Sequence, residues 1–271
     1  MKAIRHLTLV ANPTKPRALE LCAALAAAAR ATGIHVTTHT TYPPPPDALA
    51  HCDACAVLGG DGTLLGLVPQ AVAHQVPLFG INRGKLGFLA HYPSENVTES
   101  LHAVLRGDCQ IVHRTLLQCR TPGGQRAIAL NDIVVKAHHH AHMARLRVRT
   151  QDTHINTYRC DGLIVTTPTG STAYNLSAGG PLIDPAADVF ALTPICPHTL
   201  TDRTLIFPRD TPLTLDALDP QTPLHIAVDG ITLAHAQPRL PLDISLAEEK
   251  IPLIQPRGFS HFELLRSKLH L

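Results

Sequence analysis

The chain has 271 residues, 45% of them hydrophobic and 16% charged, enough apolar material for a packed interior and too little charge for wholesale disorder. A formal charge of +2 excludes a surface built for nucleic acid or an acidic membrane, although 18 histidines make the charge rise at low pH. Seven scattered cysteines without framework spacing predict reduced thiols and a cytoplasmic setting, and no apolar run reaches the roughly 20 residues of a membrane span.

At the N-terminus the apolar run in MKAIRHLTLV is too short for a signal-peptide core, and IRHLTLVA reads as a strand instead. ALELCAALAAAARATG has high helix propensity with Gly33 as its stop, and IHVTTHT is β-branched, so the first 40 residues predict strand, helix, strand with a right-handed parallel crossover. After the prolines at 43 to 46, CDACAVLGG supplies a buried strand, TLLGLVPQAVAHQ a helix and VPLFGIN another strand. This alternation predicts a Rossmann-like, doubly wound parallel sheet over 1–110, with ligands beyond the carboxyl ends of its strands.

From about residue 111 the texture changes to short β-rich runs: IVHRTLLQCR, QRAIALNDIVVK, ARLRVRT, INTYRCDGLIVTT, DTPLTLDAL and PLHIAVDGITLAHA, the last with an Asp229-Gly230 hairpin signal. They predict an all-β, sandwich-like second domain over 111–249. FSHFELLRSKLHL spaces Phe259, Phe262, Leu265 and Leu269 at helical intervals, so a terminal amphipathic helix within 250–271 is expected to complete the first domain.

Three stretches carry chemistry. In VLGGDGTLLGLV, Gly59, Gly60 and Gly62 surround Asp61 where a strand gives way to a helix. Glycine amides and a helix start suit phosphate oxygens. No Gly-Lys-Ser/Thr follows, so it is not a Walker loop. A carboxylate repels phosphate, so Asp61 serves a hydroxyl or a metal ion, which points to phosphoryl transfer to an alcohol. The bland alternative is a tight turn whose aspartate caps the helix. In RCDGLIVTTPTGSTAYNLSAGGPLI, the run Thr169, Gly170, Ser171, Thr172 offers small hydroxyls and amides to a sugar or phosphate, and the alternative is a turn that caps a short helix. In ALNDIVV, Asn131 and Asp132 interrupt an apolar strand, so at least one polar side chain meets the core or a cleft, unless the pair is a bulge or a strand start.

GGDGT, INRGKLGFL, LND, DGLIVTTPTGSTAYNLSAGGPLI, PICPHTLTDRTLIF and FELLRSKL resemble, in order, the sequence blocks of the NAD kinase family, across residues 57 to 269. The resemblance implies an α/β domain followed by a β domain. It also implies transfer of a phosphoryl group from ATP or another donor to the 2'-hydroxyl of the adenosine ribose of NAD, with a divalent ion, Mg²⁺, supplied with the nucleotide. A homodimer or homotetramer, with no nucleic-acid or membrane partner, belongs to the same implication.

By resemblance, Asp61 is the proton acceptor and Gly62 approaches the dinucleotide; Phe88 lies beside the adenine, and Asn131 and Asp132 contact ribose hydroxyls. Asp161 meets the nicotinamide end, His142 and Arg159 contact NAD, and Thr172, Ala173, Tyr174, Asn175, Leu176 and Ser177 form the adenine and carboxamide segment. The chain departs from many members by carrying Asp rather than Glu at 132 and Ile231 after the Asp-Gly turn. No dedicated protein metal site is expected: HHHAH at 138 to 142 reads as a solvated loop, and Cys52 and Cys55 lack a second pair. Lipid kinases and phosphofructokinases with GGDGT-like loops, and a catalytically silent dinucleotide sensor, are the rival readings.

Overall fold

A computed structural model describes residues 3–82, 87–138, 143–219, 222–233 and 240–270. The chain divides into two compact units, 1–113 with 251–271, and 114–250.

The first unit begins with β1 (His6–Ala11), α1 (Ala18–Ala31), β2 (His35–His39), β3 (Ala54–Leu58), α2 (Asp61–Leu65), α3 (Val68–His74) and β4 (Leu78–Asn82). These are the strand and helix runs expected from the apolar periodicity, with one difference. The single helix expected over 63–75 is two, interrupted at Gly66 and Leu67 and restarted with Pro69 in its first turn, where a missing amide hydrogen costs nothing. The sheet order β4-β3-β1-β2 is parallel throughout. A short β5 (Tyr92–Pro93) pairs with β4, α4 (Val97–Arg106) follows, and the chain leaves the unit inside β6 (Cys109–Arg120). β1 and β3 are almost wholly buried, as strands covered on both faces must be.

Within the second unit, β6 forms an antiparallel hairpin with β7 (Arg126–Ala129). Then come β8 (Asp132–Ala137), β9 (Ala144–Thr150), β10 (Thr153–Cys160), β11 (Gly162–Thr166), α5 (Tyr174–Ser177), β12 (Val189–Ile195), β13 (Leu205–Pro208), β14 (Leu213–Ala217), β15 (Leu224–Val228), β16 (Ile231–Thr232) and β17 (Leu242–Pro256). One antiparallel sheet has the order β13-β12-β11-β8-β15-β16, and β10, β9, β14 and the first part of β17 pair antiparallel in another. Inward side chains from both, among them Ile133, Val135, Leu146, Val148, Tyr158, Leu163, Phe190 and Ile226, form one core. This is the β-sandwich arrangement expected of alternating strands. On the other face of the first sheet, Val134, Ile164, Ile195 and Ala227 are covered in part by Ala178, so the segment after β11 lies over that face.

The end of β17 belongs to the first unit, where Leu253 pairs parallel with Leu78 of β4 and Ile254 joins the core. The terminal helix α6 (His261–Leu269) starts on Ser260, whose hydroxyl accepts from the Glu263 amide. Its buried face differs from the expected stripe: Leu264 and Leu265 are buried, Phe262 is 64% exposed and Phe259 precedes the helix.

Candidate functional site

Asp61 is the first residue of α2, directly after Gly59 and the extended Gly60. Gly59 is required by packing, because a Cβ there would lie 2.4 Å from Thr63 Oγ1. That hydroxyl in turn accepts from Asn12 Nδ2 at 3.2 Å, which ties the end of β1 to the glycine loop. Gly62 is exposed with open space over its Cα, a surface that a ligand can approach closely.

The Asp61 carboxylate is held from one side. The amides of Phe88, Leu89 and Ala90 donate to it at 2.9, 3.1 and 3.0 Å. A Cβ at Gly87 would fall 2.1 Å from Asp61 Oδ1, so only glycine lets the carboxylate reach these amides. A carboxylate has about four acceptor positions, and three are taken, which leaves one for a hydroxyl. Phe88 is thus brought to Asp61 through its main chain. Beside the glycine loop, a cavity of about 410 Å³ is lined by Lys15, Leu21, Gly59, Gly60, Ile81 and Asn82, among others.

In the second unit, Asn131 and Asp132 stand at a strand start rather than inside one continuous strand: Asn131 lies between β7 and β8, and Asp132 is the first residue of β8. Thr166 pairs with Asp132 across β8 and β11, and Gly170 rests on the Asn131 backbone, where a Cβ would lie 2.2 Å from the carbonyl oxygen. Thr167 donates from its amide to the Asn131 carbonyl and from its hydroxyl to the Leu130 carbonyl. The Asn-Asp pair and the threonine loop are therefore one built piece.

Asp229 organises that piece from behind. It occupies the first corner of a two-residue hairpin turn with Gly230 (φ 49° and 78°), the type I′ geometry favoured by Asp-Gly. Its Oδ2 accepts from the Leu130 amide at 2.7 Å, and its Oδ1 from the Asn131 and Asp132 amides at 2.7 and 3.1 Å. The sequence offered only a turn here, because a side chain bonded to a strand about 100 residues away leaves no local signature. Asp132 is 6% exposed. Burial pushes its carboxyl up to about 7, and the charge of Asp229 adds to the shift. Asp229 is raised by burial to about 6, against the pull of its three amides.

The residues over 169–177 divide into two kinds. Tyr174 and Ser177 are exposed, and Thr172, Ala173 and Leu176 are half-buried. Asn175 is fully buried and its amide is committed to the fold: Nδ2 donates to the Ser171 and Pro181 carbonyls, and Oδ1 accepts from Thr193 Oγ1. That side chain holds the loop and is not offered to a ligand. Thr169 Oγ1 is buried without a hydrogen-bond partner among the described residues.

Asp161, directly before β11, and Arg159, near the end of β10, are exposed; Asp161 is about 16 Å from Thr166 along the strand at ~3.3 Å per residue. The structure does not bring them to Asn131 and Asp132. His142 lies outside the described residues. Among the described residues, no three His, Cys, Asp or Glu side chains gather as a metal cage.

With this geometry in view, family models match most of the chain: that of the ATP-NAD kinase N-terminal domain over residues 35–109, and that of the ATP-NAD kinase C-terminal domain over 130–255. The NAD kinase of Methylibium petroleiphilum is 34% identical over 98% of this chain and 94% of its own. The chain belongs to the NAD kinase family. The Acidovorax ebreus NAD kinase, a second NAD kinase relative, is 38% identical over 80% of this chain and 74% of its own. Among solved structures, an Archaeoglobus fulgidus NAD kinase in complex with ATP is 25% identical over 98% of this chain and 97% of that one, with a TM-score of 0.76. Yeast NADH kinase complexed with NADH shares the fold at a TM-score of 0.87 and 21% identity, covering 100% of this chain and 89% of that one. The NAD kinase fold, an α/β unit and an antiparallel β unit, is the one described above.

Proposed function

We infer that the protein is an NAD kinase, which transfers a phosphoryl group from ATP to the 2'-hydroxyl of the adenosine ribose of NAD and releases NADP. The observation that carries this reading is the match to both family models in one chain. Asp61 falls within the first matched segment; Asn131, Asp132 and residues 169–177 fall within the second.

In this reading the remaining acceptor position of Asp61 takes the 2'-hydroxyl proton. Phosphoryl transfer passes through a loose transition state, so the carboxylate orients the hydroxyl and receives its proton late. Asp132 and Asn131 accept and donate at the ribose, and residues 172–177 frame the adenine and carboxamide. Arg159 and Asp161, at the far end of β11, suit the nicotinamide end of an elongated substrate. The donor phosphates fit the cavity beside Gly59 and Gly60, where Lys15 supplies positive charge.

Three of the Asp61 acceptor positions are taken by main-chain amides. A divalent ion, Mg²⁺, enters this reading as part of the nucleotide. No helix among the described residues is long and apolar enough to cross a membrane; the reading adds a cytoplasmic setting and a homodimer or homotetramer, which light scattering tests.

The deciding assay incubates the protein with NAD, ATP and Mg²⁺ and follows NADP by a coupled dehydrogenase. Phosphorus NMR of the product is expected to report a ribose 2'-monoester. Phosphate at another hydroxyl refutes the regiochemistry, and NAD binding without turnover identifies a silent sensor.

A further inference from the structure

The three amides on Asp61 come from one tight turn, and the structure holds that turn in place by contacts that none of the site residues above provides. The Gly87 amide donates to the Ala90 carbonyl at 3.0 Å, closing the turn. Ala90 is fully buried and packs on Gly80 of β4, where a Cβ would lie 2.7 Å from the Ala90 Cα. The turn cannot move toward the sheet. Its other side rests on His91, which is 5% exposed. His91 Nε2 lies 3.0 Å from the Phe88 carbonyl oxygen, and since a carbonyl only accepts, Nε2 carries the hydrogen and donates. The imidazole is packed in turn against the ring of Phe259, centroid to centroid 4.1 Å.

We infer that His91, buttressed by Phe259, is a positioning residue for the proton acceptor: it fixes the Phe88 peptide, and so the row of amides at 88, 89 and 90 that aims the Asp61 carboxylate. The inference rests on the reading of Asp61 as that acceptor. The chain of contact is continuous, from the Phe259 ring to the imidazole, from Nε2 to the Phe88 carbonyl, and from the neighbouring amides to both carboxylate oxygens. Without the Nε2 donor, the peptide joining Phe88 to Leu89 is free to rotate, and the Leu89 amide, coplanar with the Phe88 carbonyl and 3.1 Å from Asp61 Oδ1, turns with it. His91 acts on Asp61 only through the main chain of the turn, so the effect is expected on kcat more than on KM for NAD.

The test compares five proteins: parent, Asp61→Asn, His91→Phe, His91→Gln and Phe259→Leu. Phenylalanine retains a ring against Phe259 and removes the donor; glutamine loses the ring and places an amide N–H within reach of the Phe88 carbonyl. His91→Phe is expected to lower kcat by roughly 10- to 100-fold, the scale of a misplaced catalytic group, with KM for NAD within about twofold of the parent. His91→Gln is expected to recover most of that loss. Phe259→Leu, which leaves the His91 donor in place, is expected to fall between parent and His91→Phe. The inference is overturned if His91→Phe turns over like the parent, if His91→Gln is as slow as His91→Phe, or if NAD binding by calorimetry is lost together with kcat. Its failure is distinct from failure of the underlying reading, which requires Asp61→Asn to be nearly inactive whatever the His91 variants do.

Discussion

Asp229→Asn isolates the clamp behind Asn131 and Asp132, the pair proposed to contact the ribose. Asparagine keeps one oxygen, which continues to accept from the Asn131 and Asp132 amides, and sets an NH₂ group against the Leu130 amide, where Oδ2 now accepts at 2.7 Å. Leu130 is fully buried, so its amide has no water to turn to. A stranded buried donor costs about 1 to 3 kcal/mol. At about 2 kcal/mol the melting temperature falls by roughly 4 to 8 °C for a protein of this size. The variant also removes the charge that helps burial hold Asp132 near 7, so the Asp132 carboxyl moves down. The linkage sign follows. Both carboxyls are raised in the folded protein, so their contribution favours folding below the ordinary carboxylate range and is lost as pH rises through about 6 and 7. Ligand-free parent protein should therefore lose part of its stability between pH 5 and pH 8, and Asp229→Asn should lose less over that window. Denaturant melts at several pH values, with kcat/KM for NAD across the same range, measure both effects. A variant that melts within about 1 °C of the parent at pH 7, or whose acid limb for NAD moves upward, refutes the clamp.

Asp132→Ala should lower kcat/KM for NAD by roughly 10- to 150-fold, the loss of a charge-assisted bond of about 1.5 to 3 kcal/mol, while Asp132→Glu should be far milder in steady-state kinetics. Asn175→Ala removes three hydrogen bonds, two of them buried, and should cost roughly 2 to 4 kcal/mol in urea unfolding, with KM for NAD little changed in the protein that remains folded. Lys15→Ala should raise KM for ATP by about fivefold, as expected of ~1 kcal/mol from an exposed charge, and leave KM for NAD alone.

What the sequence disclosed followed from local rules. Periodicity read β1, α1, β2, β3 and β4 in order, and three glycines around one aspartate marked the turn where Asp61 sits. Asn131 and Asp132 stood out because polar side chains are costly in an apolar run, although only the structure distinguishes a strand start from a strand interior. The long-range contacts were not legible. Asp229 fitted a hairpin so well that its second task, bonding to residues 130–132, left no trace in the spacing. Asn175 has the composition of a ligand contact and the burial of a core residue, and burial is set by Thr193 and Pro181, distant in sequence or across a turn. The role of Gly87 depends on one carboxylate oxygen arriving from residue 61.

The second unit is inserted within the first, and this has a consequence during synthesis. Leu253 and Ile254, the last contributors to the first unit's sheet and core, and Phe259, which buttresses the turn at Asp61, follow the whole of residues 114–250 in the order of translation. While the ribosome makes the intervening 137 residues, the unit that carries Asp61 has β5 against the end of β4 but lacks the β17 residue that pairs with Leu78. The β unit has all of its strands by residue 250, so it is the part able to fold first, although it is encoded second. A chain stopped near residue 250 then holds every strand of the β unit but lacks the last sheet and core residues of the unit that carries Asp61.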